Sequence, residues 1–573
     1  MATLPVFQTT GGRPGDIDVE RLAHATFGGR DVKVESNQSR TTVRGPDVML
    51  DLDHARGGLW AGDTARRWTA GAVELPMRSV GRIARAALTG ANVLPRLGSA
   101  FRYARPRVMR AQTVTEQDGR RTVAAGEATY TQEIVVDVSG NRGVKADVLP
   151  FFGGGGRFAA TIGAGGQVVG LRGTWRDAVQ ADERTVLAVQ EAMEAAGLAP
   201  GEDMRVTGST LGYYAAPPFV AQDLAFPVYA VTAEVRAGDR WVPSRVQLVP
   251  ATDIGEIGVR ESPTRPRADR VPRVVPTPVL RPGEALPSGL SVSAAVLRKR
   301  GLSPEDLLFR DVSGKIFLKP GLSGLDLGAL FEALRPRSFG TSWIGSLGGL
   351  GGSQANAQGF VDQMAAEGWQ RRFNWGNAAA WKSDWTTNDD DWVDDVDFVF
   401  YTGHAGPDGW MLATNGAGDW LNHSEVGSVA NAPSDLWGQD NLEWVVIAAC
   451  GPLEDDVING GGNVHSRWIG AFDGLHLLLG YAAVTFDNTE EGRRVALYAR
   501  QGLTMRQAWF RAAEEIQPST NGYGDPYGPN VYAAAMWVGN ATASNADDHL
   551  WGHGSVGPDI RNHTYSVAHF TPC

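Results

Sequence analysis

Residues 396–406 read VDFVFYTGHAG and residues 443–453 read EWVVIAACGPL. Each is an apolar run too short for a helix, the pattern of a strand buried on both faces. Each ends in a small-residue turn with one chemically able side chain, His404 in the first and Cys450 in the second. Such strands separated by helical stretches predict a parallel sheet covered on both sides. Chemistry in these sheets collects at the carboxyl ends of the strands, so two neighbouring strands of similar length would deliver His404 and Cys450 to one edge. A thiol beside an imidazole can ionise at neutral pH, whereas an isolated one, with a pKa of ~8.5, stays mostly protonated.

The alternation continues outward. SFGTSWIG (338–345) reads as a strand, SLGGLGGSQ (346–354) as a glycine-rich loop, and ANAQGFVDQMAAEGW (355–369) as a helix with Phe360, Met364 and Ala365 on one face. After Cys450 come a helix near VHSRWIGAF (464–472), a strand in GLHLLLGYAAVT (474–485) and one long helix within 490–516. The fold class expected for residues 336–573 is therefore α/β.

Upstream, TYTQEIVVDVSG (129–140) alternates like a strand, and 156–175 reads as two strands around a glycine turn. A helix capped by Asp182 is predicted over 182–198, with strands at 226–235 and 240–250. One helix on an antiparallel sheet makes 129–260 an α+β unit, similar in shape to cystatin- and PepSY-type modules and a candidate pro-region or inhibitory module. Residues 1–128 form a further lobe whose fold the pattern leaves open. The run FFGGGGRF (151–158) has neither the Lys-Ser/Thr of a phosphate loop nor a dinucleotide-binding fingerprint and reads as a hairpin tip.

Seven prolines and several arginines in SPTRPRADRVPRVVPTPVLRPGEALPSG (262–289) predict an extended connector, placing a linker and connecting segment at 261–335. Of the 18 tryptophans, 14 lie at or after Trp343, so the two sides of this connector have different cores.

At 573 residues the chain exceeds one hydrophobic core. A net charge of −11 argues against nucleic acid as a partner, because phosphate binding needs a basic face. No apolar stretch approaches the ~20 residues that cross a bilayer, so no membrane partner is expected. The start MATLPVFQTTGGRPGD lacks the layout of a signal peptide, which predicts a cytoplasmic protein, or a secreted one if a leader has been removed. With Cys450 and Cys573 as the only cysteines, a disulfide framework and a multi-cysteine metal site are excluded.

An apolar strand ending in His-Gly followed by one ending in Ala-Cys resembles the caspase–gingipain–legumain (clan CD) cysteine peptidases, here through FYTGHAG and IAACG. Within that group, GFVDQMAAEGW and DHLWGHGSVGPD are similar to an uncharacterised bacterial set. The resemblance implies a caspase-like α/β/α sandwich with a mostly parallel sheet over 336–573. It implies a peptide or protein substrate, Cys450 as nucleophile, His404 as proton carrier, and the backbone N–H groups of Ala405 and Cys450 as the oxyanion site. The sequence departs from the family at Ala405, where glycine is usual. The same thioester chemistry would serve a peptide ligase or transpeptidase, and a member that had lost activity would be a binding or scaffold protein.

Other candidates follow from charge. Asp455, Asp456, Glu490 and Glu491 lie after the strand ends, where a carboxylate would receive an Arg or Lys side chain of a substrate. Asp389, Asp390 and Asp391 in the acidic loop 386–395 are weak calcium candidates, without the glycine and final glutamate of an EF-hand loop. His549 and His553, near Asp547, Asp548 and His563, lack the HExxH pattern of a zinc peptidase, so no resident metal or cofactor is expected apart from calcium. Arg265, Arg267, Arg270 and Arg273 make the connector a candidate processing site of a zymogen.

Overall fold

The computed structural model describes every residue except 1, 13–16, 29, 70–74, 142, 199–200, 256, 258–281, 287–289, 293–296, 298–301, 311–315, 325–326, 328–329, 331–333, 427–435 and 525–526. Arg265, Arg267, Arg270 and Arg273, with most of the predicted linker, lie outside the described residues.

Five strands, Ser338–Trp343, Gln370–Gly376, Phe398–Thr402, Trp444–Ala448 and Leu477–Tyr481, pair in parallel, with 338–343 between 370–376 and 398–402. All but Gln370–Gly376 are buried along their whole length, which is why they read as unbroken apolar runs. Tyr532–Gly539 then adds antiparallel to Leu477–Tyr481, and Tyr565–Pro572 adds antiparallel to that. The outer edge of Tyr565–Pro572 pairs with Arg107–Gln117, so the sheet does not stop there. It runs on, antiparallel, through Arg120–Asp137, Arg157–Ile162, Val168–Thr174, Gly58–Asp63 and Val48–Asp53 as part of a single 21-stranded sheet.

This overturns the expected caspase-like α/β/α sandwich with a mostly parallel sheet. Among the described residues, strand pairings are antiparallel except for the four within 338–481 and a two-residue pairing of Tyr213–Tyr214 with Phe151–Phe152. The covering layers differ from the expectation as well. Phe398, Phe400, Val446 and Leu479 face the helices Ser353–Ala366, Glu491–Arg500 and Met505–Ile516. The alternate residues Val399, Tyr401, Val445, Ile447 and Leu478 face Trp385, Trp410, Trp437 and Trp468, drawn from loops, a hairpin and one short helix. An apolar run reports that a strand is covered, and tryptophans cover as well as a helix does.

Three local expectations also change. The helix predicted over 182–198 is confined to Val189–Ala195, and Asp182 sits in the strand Arg176–Thr185, opposite Val6 of Thr3–Gly12. Strand pairing with a distant segment here outweighs local helix propensity. The boundary expected at 128/129 falls inside the strand Arg120–Asp137. The long helix of 490–516 is two helices, because Gly502 takes a positive φ and Thr504 starts a new one with a capping box to Gln507.

Candidate functional site

Phe398–Thr402 and Trp444–Ala448 are in parallel register with Thr402 opposite Ala448. His404 and Cys450 each follow two residues later, so the register brings both to the carboxyl edge of adjacent strands. His404 is 0% exposed and Cys450 is 1% exposed. The Cys450 Sγ accepts the Thr485 N–H at 3.5 Å and packs against Ala230, Val246, Val484, Phe486 and Tyr523. Of these, Ala230 and Val246 come from the N-terminal half, so the thiol lies under a lid of β-structure.

Neither ring nitrogen of His404 completes a hydrogen bond among the described residues. Gly348, with a φ of +100°, lies against the ring, where a Cβ would stand 2.4 Å from Nε2. Burial pushes the imidazole down to about 3, opposed by the Gly348 backbone and reinforced by the positive charge of Arg245. Burial pushes the Cys450 thiol up to about 11, opposed by Arg245 and by Thr485. At neutral pH the pair is therefore an uncharged thiol and an uncharged imidazole, not the ion pair a nucleophile requires.

The Met411 N–H donates to the His404 carbonyl at 2.9 Å, which makes Ala405 and Trp410 the next, non-hydrogen-bonded pair of the hairpin. In that position the Ala405 N–H is directed away from the partner strand. An alanine is accommodated there without positive φ.

Between the two strand ends lies a side chain that the sequence did not single out. Arg245 is fully buried, and its Nη1 donates to the Ala448 carbonyl at 2.9 Å and to Thr402 Oγ1 at 3.3 Å. Its Nη2 donates to the Phe486 carbonyl at 2.6 Å and to both Glu491 oxygens at 2.9 and 3.1 Å. Glu491 is held in turn by Tyr481 Oη at 2.7 Å, Gln517 Nε2 at 2.8 Å and Asn356 Nδ2 at 3.0 Å. The next residue, Val246, runs parallel to 485–487, with its N–H on the Thr485 carbonyl at 2.8 Å and its carbonyl accepting the Asp487 N–H at 2.9 Å. A cleft of about 700 Å³ opens alongside, walled by Leu248, Phe486, Asp487, Asn488, Glu490 and the Gly351–Gly352 turn, among others.

Of the four carboxylates predicted to receive a substrate, only Glu491 reaches this edge. Asp455 is buried against Arg121 and caps the Val457 and Val464 N–H groups at 3.1 Å each. Asp456 is exposed and accepts the Gly462 N–H at 3.0 Å. Glu490 lines the cleft but pairs with Arg493 and Arg494. The calcium candidates diverge, Asp389 buried and Asp390 and Asp391 exposed on one 3-10 turn.

The zinc candidates separate in the same way. His553 pairs with Glu367 at 2.7 Å, Asp547 with Arg506 at 2.8 Å, and Asp548 with His476 Nδ1 at 2.5 Å. At the opposite, amino end of the strands, Glu443, His476 and Asp559 bring three possible ligand atoms within 4.8 Å of one another. His476 is raised well above its ordinary value by Glu443 and Asp548 against the cost of burial, so this group is an imidazolium clamped by carboxylates.

Residues 341–571 match a family model described as a domain of unknown function, DUF6345. That span includes His404, Cys450 and Glu491 but not Arg245. No curated protein matches the chain. Among solved structures the chain is similar to an uncharacterized protein from Eubacterium rectale, at 11% identity and a TM-score of 0.26 over 45% of this chain and 87% of that one. It is also similar to the C-terminal domain of YpeB from Bacillus megaterium, at 10% identity and a TM-score of 0.20 over 42% of this chain and 95% of that one.

Proposed function

We propose that the Cys450–His404 edge is the centre of a thiol-dependent peptidase held in a latent state. The observation that carries this reading is the Thr402–Ala448 register, from which His404 and Cys450 each follow two residues later at the same carboxyl edge. Latency is supported by the burial of both groups and by their uncharged forms. Opening the cover and admitting water would bring both groups back towards their ordinary values and restore the proton exchange between them.

In the open form the Cys450 proton passes to His404 and the thiolate attacks the amide carbon, forming a C–S bond. The backbone N–H groups of Ala405 and Cys450 are the donors proposed for the oxyanion. As the C–N bond breaks, the amine leaves with the proton from His404. Water then gives a proton to His404 as its oxygen bonds to the thioester carbon, the C–S bond breaks to release the acid, and the proton passes from His404 to Cys450.

The test incubates the full chain with a peptide library and follows products by mass spectrometry, alongside the rate of Cys450 alkylation by iodoacetamide. Slow cleavage lost in both Cys450→Ala and His404→Ala is expected. An uncleaved library, together with alkylation that His404→Ala leaves unchanged, would overturn the reading.

A further inference from the structure

We infer that Arg245 occupies the pocket built for the arginine side chain of a substrate, so that the site takes peptides with arginine before the scissile bond and the segment 244–250 keeps it shut. This rests on the thiol peptidase reading of the same edge.

Arg245 bonds Thr402, two residues before His404, and Ala448, two residues before Cys450, so its side chain enters between the two strands that carry the pair. Its neighbour Val246 packs in the same cluster as Cys450. The peptide joining Arg245 to Val246 therefore lies where a bound substrate would present its bond. Other buried arginines reach across from the N-terminal half, for example Arg67 and Arg172 to Glu514. Those end on the helix Met505–Ile516, whereas Arg245 touches both strands of the edge.

The pocket is complete without Arg245. Glu491 is fixed by Tyr481, Gln517 and Asn356, all belonging to the C-terminal half. Carbonyls of Ala448 and Phe486 point at the same spot, giving one carboxylate and two acceptors for a planar, five-donor cation. Without a cation this pocket would bury an unpaired carboxylate, which is costly. A guanidinium fits its fork of acceptors, and an ammonium on a flexible stem does not.

Val246 adds to 485–487 in the manner of an extended peptide joining a free edge. Tyr523 holds this cover from the far side, with Oη 2.8 Å from the Ala233 carbonyl and 3.1 Å from the Ser244 carbonyl. The cleft beside it has an acidic wall that includes Asp253, Asp487 and Glu490.

The experiment measures labelling of Cys450 in the full chain by arginyl and norleucyl peptide chloromethyl ketones, in the wild type, in Arg245→Ala and in Tyr523→Phe. The arginyl reagent is expected to label Arg245→Ala about tenfold faster or more than the wild type, with a similar preference over the norleucyl reagent. Adding Glu491→Gln should abolish the preference. If Arg245→Ala does not fold, Tyr523→Phe loosens the same cover without touching the pocket and is held to the same preference. Equal labelling by both reagents overturns this inference and leaves the thiol reading standing. Labelling by neither, with iodoacetamide alkylation independent of His404, overturns the thiol reading itself.

Discussion

Arg245 and Glu491, 246 residues apart in sequence, meet at 2.9 Å with neither side chain exposed to solvent. A buried ion pair contributes little net stability over a well-packed apolar pair, but breaking one half of it leaves an uncompensated charge. Glu491→Gln is therefore expected to lower the unfolding free energy by roughly 3–5 kcal/mol. The double variant Arg245→Met/Glu491→Leu should recover most of that loss. Guanidinium denaturation of Arg245→Met, Glu491→Leu and the double gives the coupling, and additive losses would show that the pair does not act as a unit.

The dependence on pH has a sign on each side. His404 is depressed to about 3 in the fold, against ~6.5 unfolded, so the unfolded chain binds a proton that the folded chain refuses. Its contribution is present above ~6.5 and is lost at about 1.4 kcal/mol per pH unit as the solution is acidified towards 3. Cys450 is raised to about 11, against ~8.5 unfolded, so its contribution is present below ~8.5 and is lost as pH rises through about 11. Denaturation between about pH 4 and 10 should show His404→Asn flattening the acid limb and Cys450→Ala flattening the alkaline limb. His569, also depressed to about 3, keeps part of the acid slope in the His404 variant.

Gly348 positions His404 by leaving space. Its φ is +100°, and a Cβ there would stand 2.4 Å from Nε2, closer than real Cβ contacts allow. Gly349 also has a positive φ, +75°, but a Cβ at that position meets Leu198 at 3.4 Å and Gln247 and Met204 at 3.9 Å, all ordinary contacts. Both alanine variants carry backbone strain of roughly 1–2 kcal/mol. Gly348→Ala alone should also displace the imidazole, lowering the alkylation rate of Cys450 and any Cys450-dependent cleavage. Equal effects from the two variants would show strain only.

How much of this edge was legible in the sequence follows from what each residue's neighbours encode. His404 and Cys450 stand at the ends of short apolar runs, and a run buried on both faces is written locally, so their placement on paired parallel strands could be read. The tryptophan layer on one face of those strands could not, because Trp385, Trp410, Trp437 and Trp468 come from loops, a hairpin and a short helix and meet only in three dimensions. Arg245 looked like one charged residue in VPSRVQLVP, with no sign that it would be buried. Its partner Glu491 was readable as a carboxylate after a strand, but so were Asp455, Asp456 and Glu490, and only tertiary packing chose among them. The antiparallel continuation has no local signature, because the pairing of Tyr565–Pro572 with Arg107–Gln117 joins residues more than four hundred positions apart.

That same pairing makes the two halves of the chain one folding unit. Tyr565–Pro572 has Tyr532–Gly539 on one edge and Arg107–Gln117 on the other, so separating the halves exposes a long unpaired strand. Beneath this seam Glu514 accepts Arg67 at 2.6 and 3.0 Å, Arg172 at 3.2 Å and the Trp68 indole N–H at 3.2 Å, all fully or nearly fully buried. Removing its charge leaves Arg172 without its carboxylate partner and Arg67 with Glu127 at 3.3 Å, so Glu514→Gln is expected to cost roughly 3–5 kcal/mol. Unfolding followed by tryptophan fluorescence and by far-ultraviolet circular dichroism should give coincident midpoints in the wild type, and in Glu514→Gln both should fall together. Two separated transitions would mean that the halves fold independently and that the seam is only a contact between them.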